Sequence, residues 1–219
     1  MLIDYSTVTE MAGDEITKEQ LNRLCHRYYW ADNFCSDKDV IEAACGTGPG
    51  AGYLSKLSKS YIAGDYDPGI LSFAQQHYGE RVDLRQFDAQ VMPFDDNSKD
   101  VIIIFEAIYY LPNVGEFIRE CKRVLRKGGQ VLIATANKDL YDFNPSPFSH
   151  AYYGVVEFQE LFAQFGFDVE CFGYLPIGEV SWRQRLLRPV KKMAIALNLM
   201  PKTTGGKKWL KRIVFGEMV

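Results

Sequence analysis

Val40-Ile41-Glu42-Ala43-Ala44-Cys45-Gly46-Thr47-Gly48-Pro49-Gly50 is the stretch that decides the fold. An apolar run carries an acid near its end, and three glycines at alternate positions lead into a helix-forming segment. This reads as a buried strand, a glycine turn and a helix, an arrangement that brings backbone close to a nucleotide-like ligand.

The flanking segments repeat that alternation. A helix is predicted around 51–59, then a strand Tyr61–Gly64 ending at Asp65, then a helix Pro68–Tyr78. Val82–Gln86 makes a third strand, followed by Asp88. Val101–Phe105 is a β-branched run suited to a central parallel strand covered on both faces. Glu116–Leu125 is expected as a helix stopped by Lys127-Gly128-Gly129, with a fifth strand over Gln130–Thr135. Strand and helix in turn imply an α/β fold, a Rossmann-like doubly wound sheet with right-handed crossovers. Farther on, Pro145 and Pro147 mark a loop, Val155–Phe165 a helix, and Asp168–Tyr174 a sixth strand. Residues 181–200 suit a helix with apolar and basic faces, Pro201–Gly206 a turn, and Trp209–Phe215 a last strand.

Upstream, residues 1–15 read as a loose arm. Helical spacing of Leu21, Leu24, Cys25, Tyr28 and Tyr29 predicts a helix from Ile16 to Ala31, with Thr17 and Gln20 as its capping box. Its aromatic end, Tyr28-Tyr29-Trp30, either packs on the main domain or forms a lid with Tyr28 and Trp30 facing a ligand. The expected organisation is an arm and lid helix over 1–37, a ligand-binding core over 38–180, and a basic extension over 181–219.

Asp65 and Asp88 follow two successive strands at the carboxyl edge of the sheet, where open α/β sheets bind ligands. One carboxylate there can accept both hydroxyls of a ribose, and the other can accept from an exocyclic amine. With the glycine turn they describe a nucleoside site. Val40–Gly50, Ala63-Gly64-Asp65-Tyr66, Phe87-Asp88-Ala89 with Met92-Pro93-Phe94, and Arg123-Val124-Leu125-Arg126-Lys127-Gly128-Gly129 together resemble the class I S-adenosylmethionine-dependent methyltransferases, in the right order across roughly residues 38–175. The resemblance implies a seven-stranded sheet whose last strand is antiparallel. It also implies that Gly46 and Gly48 shape the turn under the methionine part of S-adenosyl-L-methionine, with Glu42 assisting. Asp65 would hold the ribose, Tyr66 would pack on the adenine and Asp88 would read its amino group, with Ala44, Cys45, Ala89 and Phe105 as further contacts. Ala44 departs from the pattern, since the family has its first glycine there; a methyl group is tolerated if that backbone has negative φ.

The spacing Gly46-x-Gly48-x-Gly50 does not continue as the dinucleotide pattern, which argues against a pyrophosphate at the helix N-terminus and against a nicotinamide-dependent oxidoreductase. A cationic sulfonium instead suits acids, here Glu42 and Glu106. The implied reaction is in-line attack of an acceptor on the sulfonium methyl, with alignment and water exclusion supplied by the protein. Glu106, Tyr109 and His150 are the candidate catalytic groups, and Tyr110, Tyr152 and Tyr153 candidate substrate contacts, because they fall after strands four and five. Asn144-Pro145-Ser146-Pro147 mimics a motif of nucleobase amino-methyltransferases but follows the wrong strand, and reads as a loop bordering the substrate cleft.

Of 219 residues, 47% are apolar and 24% charged, ordinary values for a globular chain. No apolar run is long enough to span a bilayer, no signal peptide is apparent, and five scattered cysteines form no C-x-x-C pair. A reduced cytoplasmic protein without a metal site is expected. The net charge of −3 divides unevenly. Residues 181–219 carry ten basic residues against Glu217, for +9, and the remainder carries 15 basic and 27 acidic residues, for −12. That asymmetry points to an anionic partner: the chain's own acidic domain, an anionic membrane at its inner face, or RNA. The stretch Leu199–Lys202 with Lys211–Gly216 resembles the ends of methyltransferases of polysaccharide and glycolipid pathways. The expected acceptor is a small molecule or glycan, with RNA methylation or a catalytically silent binding protein as alternatives.

Overall fold

A computed structural model describes residues 16, 18–141, 143–146, 148–173 and 182–197 of the chain. They fall into two compact units, one running to Thr135 and the other starting at Ala136.

The first unit opens with helix α1, Lys18–Cys35, followed by β1, Asp39–Ala43, and α2, Ala51–Leu57. Next come β2, Ser60–Asp65, and α3, Pro68–Tyr78, then β3, Asp83–Gln86, and β4, Lys99–Phe105. Helix α4, Val114–Val124, runs directly into β5, Leu125–Ala134. All five strands are parallel in the order β3-β2-β1-β4-β5. Every residue of β1 is buried, as are Val101–Ile104 of β4. Successive strand residues face opposite sides, so both central strands are covered on both faces. The order reverses between β1 and β4, which places a ligand crevice at the carboxyl ends of these two strands.

Helix α1 continues one turn past the expected Ala31, because Ala31 and Cys35, four residues apart, are both fully buried in the core with Tyr28. Its expected capping residue Thr17 lies outside the described residues. At the start of α3, the Asp67 side chain accepts from the Gly69 and Ile70 amides and Pro68 occupies the first turn. Lys127-Gly128-Gly129 does not separate helix from strand as expected; it lies inside β5. Leu125 pairs with Lys99 and Gln130 already pairs with Val101, so the extra residues bulge out, with Gly128 at φ 81°.

The second unit contains α5, Val155–Ala163, and α6, Trp182–Ala196. Gly166, at φ 79°, closes the end of α5 with its amide donating to the Ala163 carbonyl at 2.9 Å. Phe162 stacks on Phe158 at 4.7 Å and meets Phe167 edge-on at 6.0 Å. The sixth strand expected at Asp168–Tyr174 is absent from its described part, 168–173. The expected arm 1–15 and last strand Trp209–Phe215 lie outside the described residues. A five-stranded parallel sheet is thus what the described residues hold.

Candidate cofactor site at the carboxyl edge of the sheet

Chain reversal after β1 rests on a series of left-handed residues. Ala44 has φ 54°, Gly46 φ 59° and Gly48 φ 72°. Gly46 and Gly48 adopt these values freely; Ala44 does not. The expectation that Ala44 tolerates its methyl group through a negative φ is therefore wrong, and the alanine sits in a glycine conformation.

The loop is braced from two sides. The Cys45 amide donates to the Gly64 carbonyl at 3.0 Å, and the Tyr78 hydroxyl donates to the Gly48 carbonyl at 2.7 Å. Asp65 joins the first two strand ends, as its Oδ2 accepts from the Gly46 amide at 2.9 Å and its Oδ1 from the Asp67 amide at 3.0 Å. Burial pushes the Asp65 carboxyl up, and these amides pull against that shift. Each carboxylate oxygen retains a further acceptor site for a ribose hydroxyl. Beside it Tyr66 is 60% exposed, leaving a ring face available to a base. Asp88 is half-buried and accepts from the Gln90 amide at 2.8 Å, which fixes its carboxylate past β3. Cys45 and Ala89 are buried.

Glu42 occupies a different place from the one expected. It is 1% exposed, and its carboxylate accepts from the Tyr28 hydroxyl at 2.8 Å and from the Tyr61 hydroxyl. Burial pushes its pKa up, with the two tyrosines opposing. It braces β1, β2 and α1 from inside instead of lining a ligand surface. Tyr28, expected to face a ligand, also turns inward. Its ring is buried, lies edge-on to Phe105 at 5.5 Å, and fills the space over Gly50, where an added Cβ would meet it at 2.0 Å. Trp30 is half-buried and packs edge-on against Phe34 beside the core. Of the aromatic end of α1, Tyr28 is thus core packing, while Tyr29 is 61% exposed and meets Tyr53 edge-on at 5.5 Å.

Glu106 ends β4 with φ 53°. Its Oε1 pairs with Arg27 Nη1 at 3.1 Å, and its Oε2 accepts from the Tyr109 hydroxyl at 3.2 Å. Tyr110 packs edge-on against Tyr109 at 4.6 Å. Glu42, Gly46, Gly48, Asp65, Phe105, Glu106 and Tyr109 thus gather around the ends of β1, β2 and β4. His150, Tyr152 and Tyr153 belong to the second unit. His150 is exposed there; the Tyr152 hydroxyl accepts from the Ser146 amide at 3.2 Å, and Tyr153 lines a shallow pocket with Lys138 and Glu157.

Sequence reasoning passed over Arg27, whose side chain is only 15% exposed. The available signal was its position: Leu24, Arg27, Tyr28, Ala31 and Cys35 share one helical stripe, so a cation there is carried into the core face. The set fits S-adenosylmethionine on the structure's own terms. A left-handed glycine turn, a fixed carboxylate for a ribose, an exposed aromatic ring and a carboxylate at the switch point match its parts.

Comparison with known proteins agrees. A family model described as a methyltransferase domain matches residues 41–133. The chain is 35% identical over 152 residues to a probable S-adenosylmethionine-dependent methyltransferase of Mycolicibacterium smegmatis, covering 68% of this chain and 56% of that protein. It is 36% identical over 126 residues to a phthiotriol/phenolphthiotriol dimycocerosates methyltransferase of Mycobacterium leprae, covering 56% of this chain and 46% of that one. The matches therefore span about half the length of these relatives. Among solved structures, the YcgJ protein of Bacillus subtilis shares the fold at a TM-score of 0.61 and 22% identity, over 84% of this chain and 88% of that chain.

Proposed function

The domain at residues 41–133 belongs to the class I S-adenosylmethionine-dependent methyltransferases, and from that premise we propose that the protein transfers the methyl group of S-adenosylmethionine to a lipid or glycolipid acceptor. The observation that carries the cofactor half is Asp65, fixed by the Gly46 and Asp67 amides beside two left-handed glycines. Bound there, the cofactor would supply an activated methyl on a cationic sulfur, the electrophile that an acceptor oxygen, nitrogen or carbon attacks. Asp65 would accept the ribose hydroxyls, Tyr66 would cover the adenine, and Glu106 would present its Arg27-paired carboxylate at the mouth of the switch point, where Glu42 is too deep to act.

Two observations support a lipid-borne acceptor. One is the relative named as a phthiotriol/phenolphthiotriol dimycocerosates methyltransferase. The other is α6, on which Leu187, Val190, Met193 and Leu197 recur at helical spacing and are 37–62% exposed. Arg188 and Lys192 lie on the same helix over the Tyr141 ring, at 6.0 and 4.0 Å. Exposed apolar residues beside basic ones suit the headgroup region of an anionic bilayer. No helix among the described residues is long and apolar enough to cross one. Incubation of the protein with methyl-labelled S-adenosylmethionine and a cell extract, fractionated into lipid, glycan, nucleic acid and protein, tests the reading. Label in the lipid fraction supports it, label in RNA transfers the basic segment's role to phosphate binding, and absence of label from every fraction refutes methyl transfer.

A further inference from the structure

The second unit carries a groove along α5 that the cofactor site does not use. The helix buries Phe162, with Phe158 stacked on it one turn earlier, and so turns a different stripe outward: Glu157, Glu160, Leu161 and Gln164, at helical spacing. A polar helix face is ordinarily left to solvent. This one is walled, because Lys138, Tyr152 and Tyr153 stand beside it and border a cavity of about 380 Å³, within the range of small-ligand pockets.

The walls are built before any ligand arrives. The Lys138 amide donates to the Tyr153 carbonyl at 3.5 Å, and its ammonium pairs with Glu157 Oε1 at 2.5 Å. Glu157 Oε2 accepts from the Gly154 amide at 3.1 Å, which ties the first turn of α5 to the same corner. The Tyr152 ring lies edge-on to Phe143 at 4.8 Å while its hydroxyl accepts from the Ser146 amide at 3.2 Å. Tyr153 is half-buried and meets Phe158 edge-on at 6.2 Å. Fixing these side chains in advance lowers the ordering cost of binding. The Glu160 carboxylate and the Gln164 carboxamide are exposed and have no hydrogen-bond or ion-pair partner among the described residues, so both are free to meet a ligand.

The chemistry of the groove selects among ligand classes. One lysine stands against two glutamates, and the lysine is already paired, so the spare charge is negative and disfavours phosphate or sulfate. An organic cation would use Glu160 and leave the lysine and the amide without a role. A sugar uses all of them. Its hydroxyls each donate and accept, matching the carboxylates, the carboxamide and the remaining ammonium hydrogens, and its C–H face packs on aromatic rings such as Tyr152 and Tyr153. We propose that this groove binds a neutral sugar and seats the headgroup of a glycolipid acceptor; the acceptor role rests on the lipid or glycolipid reading above.

Nuclear magnetic resonance titration of the isotope-labelled full chain with methyl glucoside, methyl mannoside and methyl galactoside tests the assignment, with ethanolamine and inorganic phosphate as comparators. At least one glycoside should shift the amides of residues 152–164 saturably at millimolar concentration, with or without S-adenosylmethionine present. Glu160→Ala should weaken that binding about tenfold, the effect of one charged hydrogen bond, and Gln164→Ala should weaken it less. Both positions are exposed on the helix surface, so the variants test the groove without disturbing the packed face. In the labelled-lipid assay Glu160→Ala should raise the KM for the acceptor and leave S-adenosylmethionine affinity unchanged. Absence of shifts with all three glycosides, shifts confined to other residues, or undiminished binding by Glu160→Ala overturns the proposal, as does saturable binding of ethanolamine or phosphate in place of a sugar. Lipid labelling without glycoside binding removes the sugar seat and leaves the lipid reading standing. Glycoside binding without lipid labelling overturns that reading and, with it, the groove's acceptor role.

Discussion

Ala44 shows how much one methyl group weighs at a single position. A left-handed backbone costs an L-residue about 1–2 kcal/mol, and glycine in its place gives back part of this through a freer unfolded chain. Ala44→Gly should therefore raise unfolding stability by about 0.5–1 kcal/mol in urea titrations, with cofactor affinity unchanged; a loss of stability would show that the loop relies on the alanine side chain. Glu42 poses the opposite problem, a carboxyl whose folded pKa is raised by burial. Such an acid favours the folded state below its ordinary pKa and costs stability as pH rises from there through the raised value. Glu42→Gln keeps one acceptor and one donor for the two tyrosine hydroxyls, so it should remove this loss. Thermal unfolding between pH 5 and pH 8 should fall less in the variant than in the parent, and parallel curves would refute the account.

At the scale of elements, α1 is held to the sheet through the Tyr28 ring over Gly50 at the start of α2. A Cβ on Gly50 would come within 2.0–2.4 Å of three ring atoms. The ring is buried and its hydroxyl is committed to Glu42, so it has no cheap way to give. Gly50→Ala should cost about 1–3 kcal/mol as overpacking, and should weaken cofactor binding because Gly50 directly follows the glycine turn. Chemical denaturation and calorimetry check both effects; an unchanged stability would mean that α1 slides without cost. On α6, Val190→Asp with Met193→Asp should abolish cosedimentation with vesicles containing phosphatidylserine while leaving cofactor affinity intact. Retained vesicle binding would remove the apolar stripe from the account.

For the whole molecule, one charge cluster at the amino-terminal edge of the sheet ties four strands, β1, β2, β4 and β5. Asp39 on β1 accepts from the Ser60 hydroxyl at 2.7 Å and from Arg126 Nη1 at 2.9 Å, and Arg126 also pairs with Asp100 at 2.8 Å. Chiefly the Ser60 hydroxyl, then Arg126 and Lys59, lower the Asp39 pKa to about 2. A depressed carboxyl contributes its stability above its ordinary pKa and loses it as pH falls towards the folded value. Global unfolding midpoints should accordingly hold down to about pH 4 and fall between about pH 4 and pH 2, by about 1–2 kcal/mol from this group. Asp39→Asn should flatten that acid limb; an unchanged limb would assign it to other carboxylates.

The strand and helix alternation, the glycine turn and the strand-end acids Asp65 and Asp88 were legible in the sequence because each depends on local pattern: apolar runs, glycine spacing and turn residues next to one another in the chain. Lys127-Gly128-Gly129 was misread for the same reason, since glycines mark a helix stop and a bulge alike, and only pairing with β4 separates the two. What tertiary structure alone decided concerns residues distant in the chain. Glu42 faces inward because hydroxyls 14 residues before it and 19 after it meet on its carboxylate. Ala44 is left-handed because the turn must deliver the Cys45 amide to Gly64. Arg27 and Glu106, 79 positions apart, become a pair only when α1 packs on the ends of β1 and β4. Periodicity specifies which face of a helix is buried, but the charge waiting under that face is set by the fold.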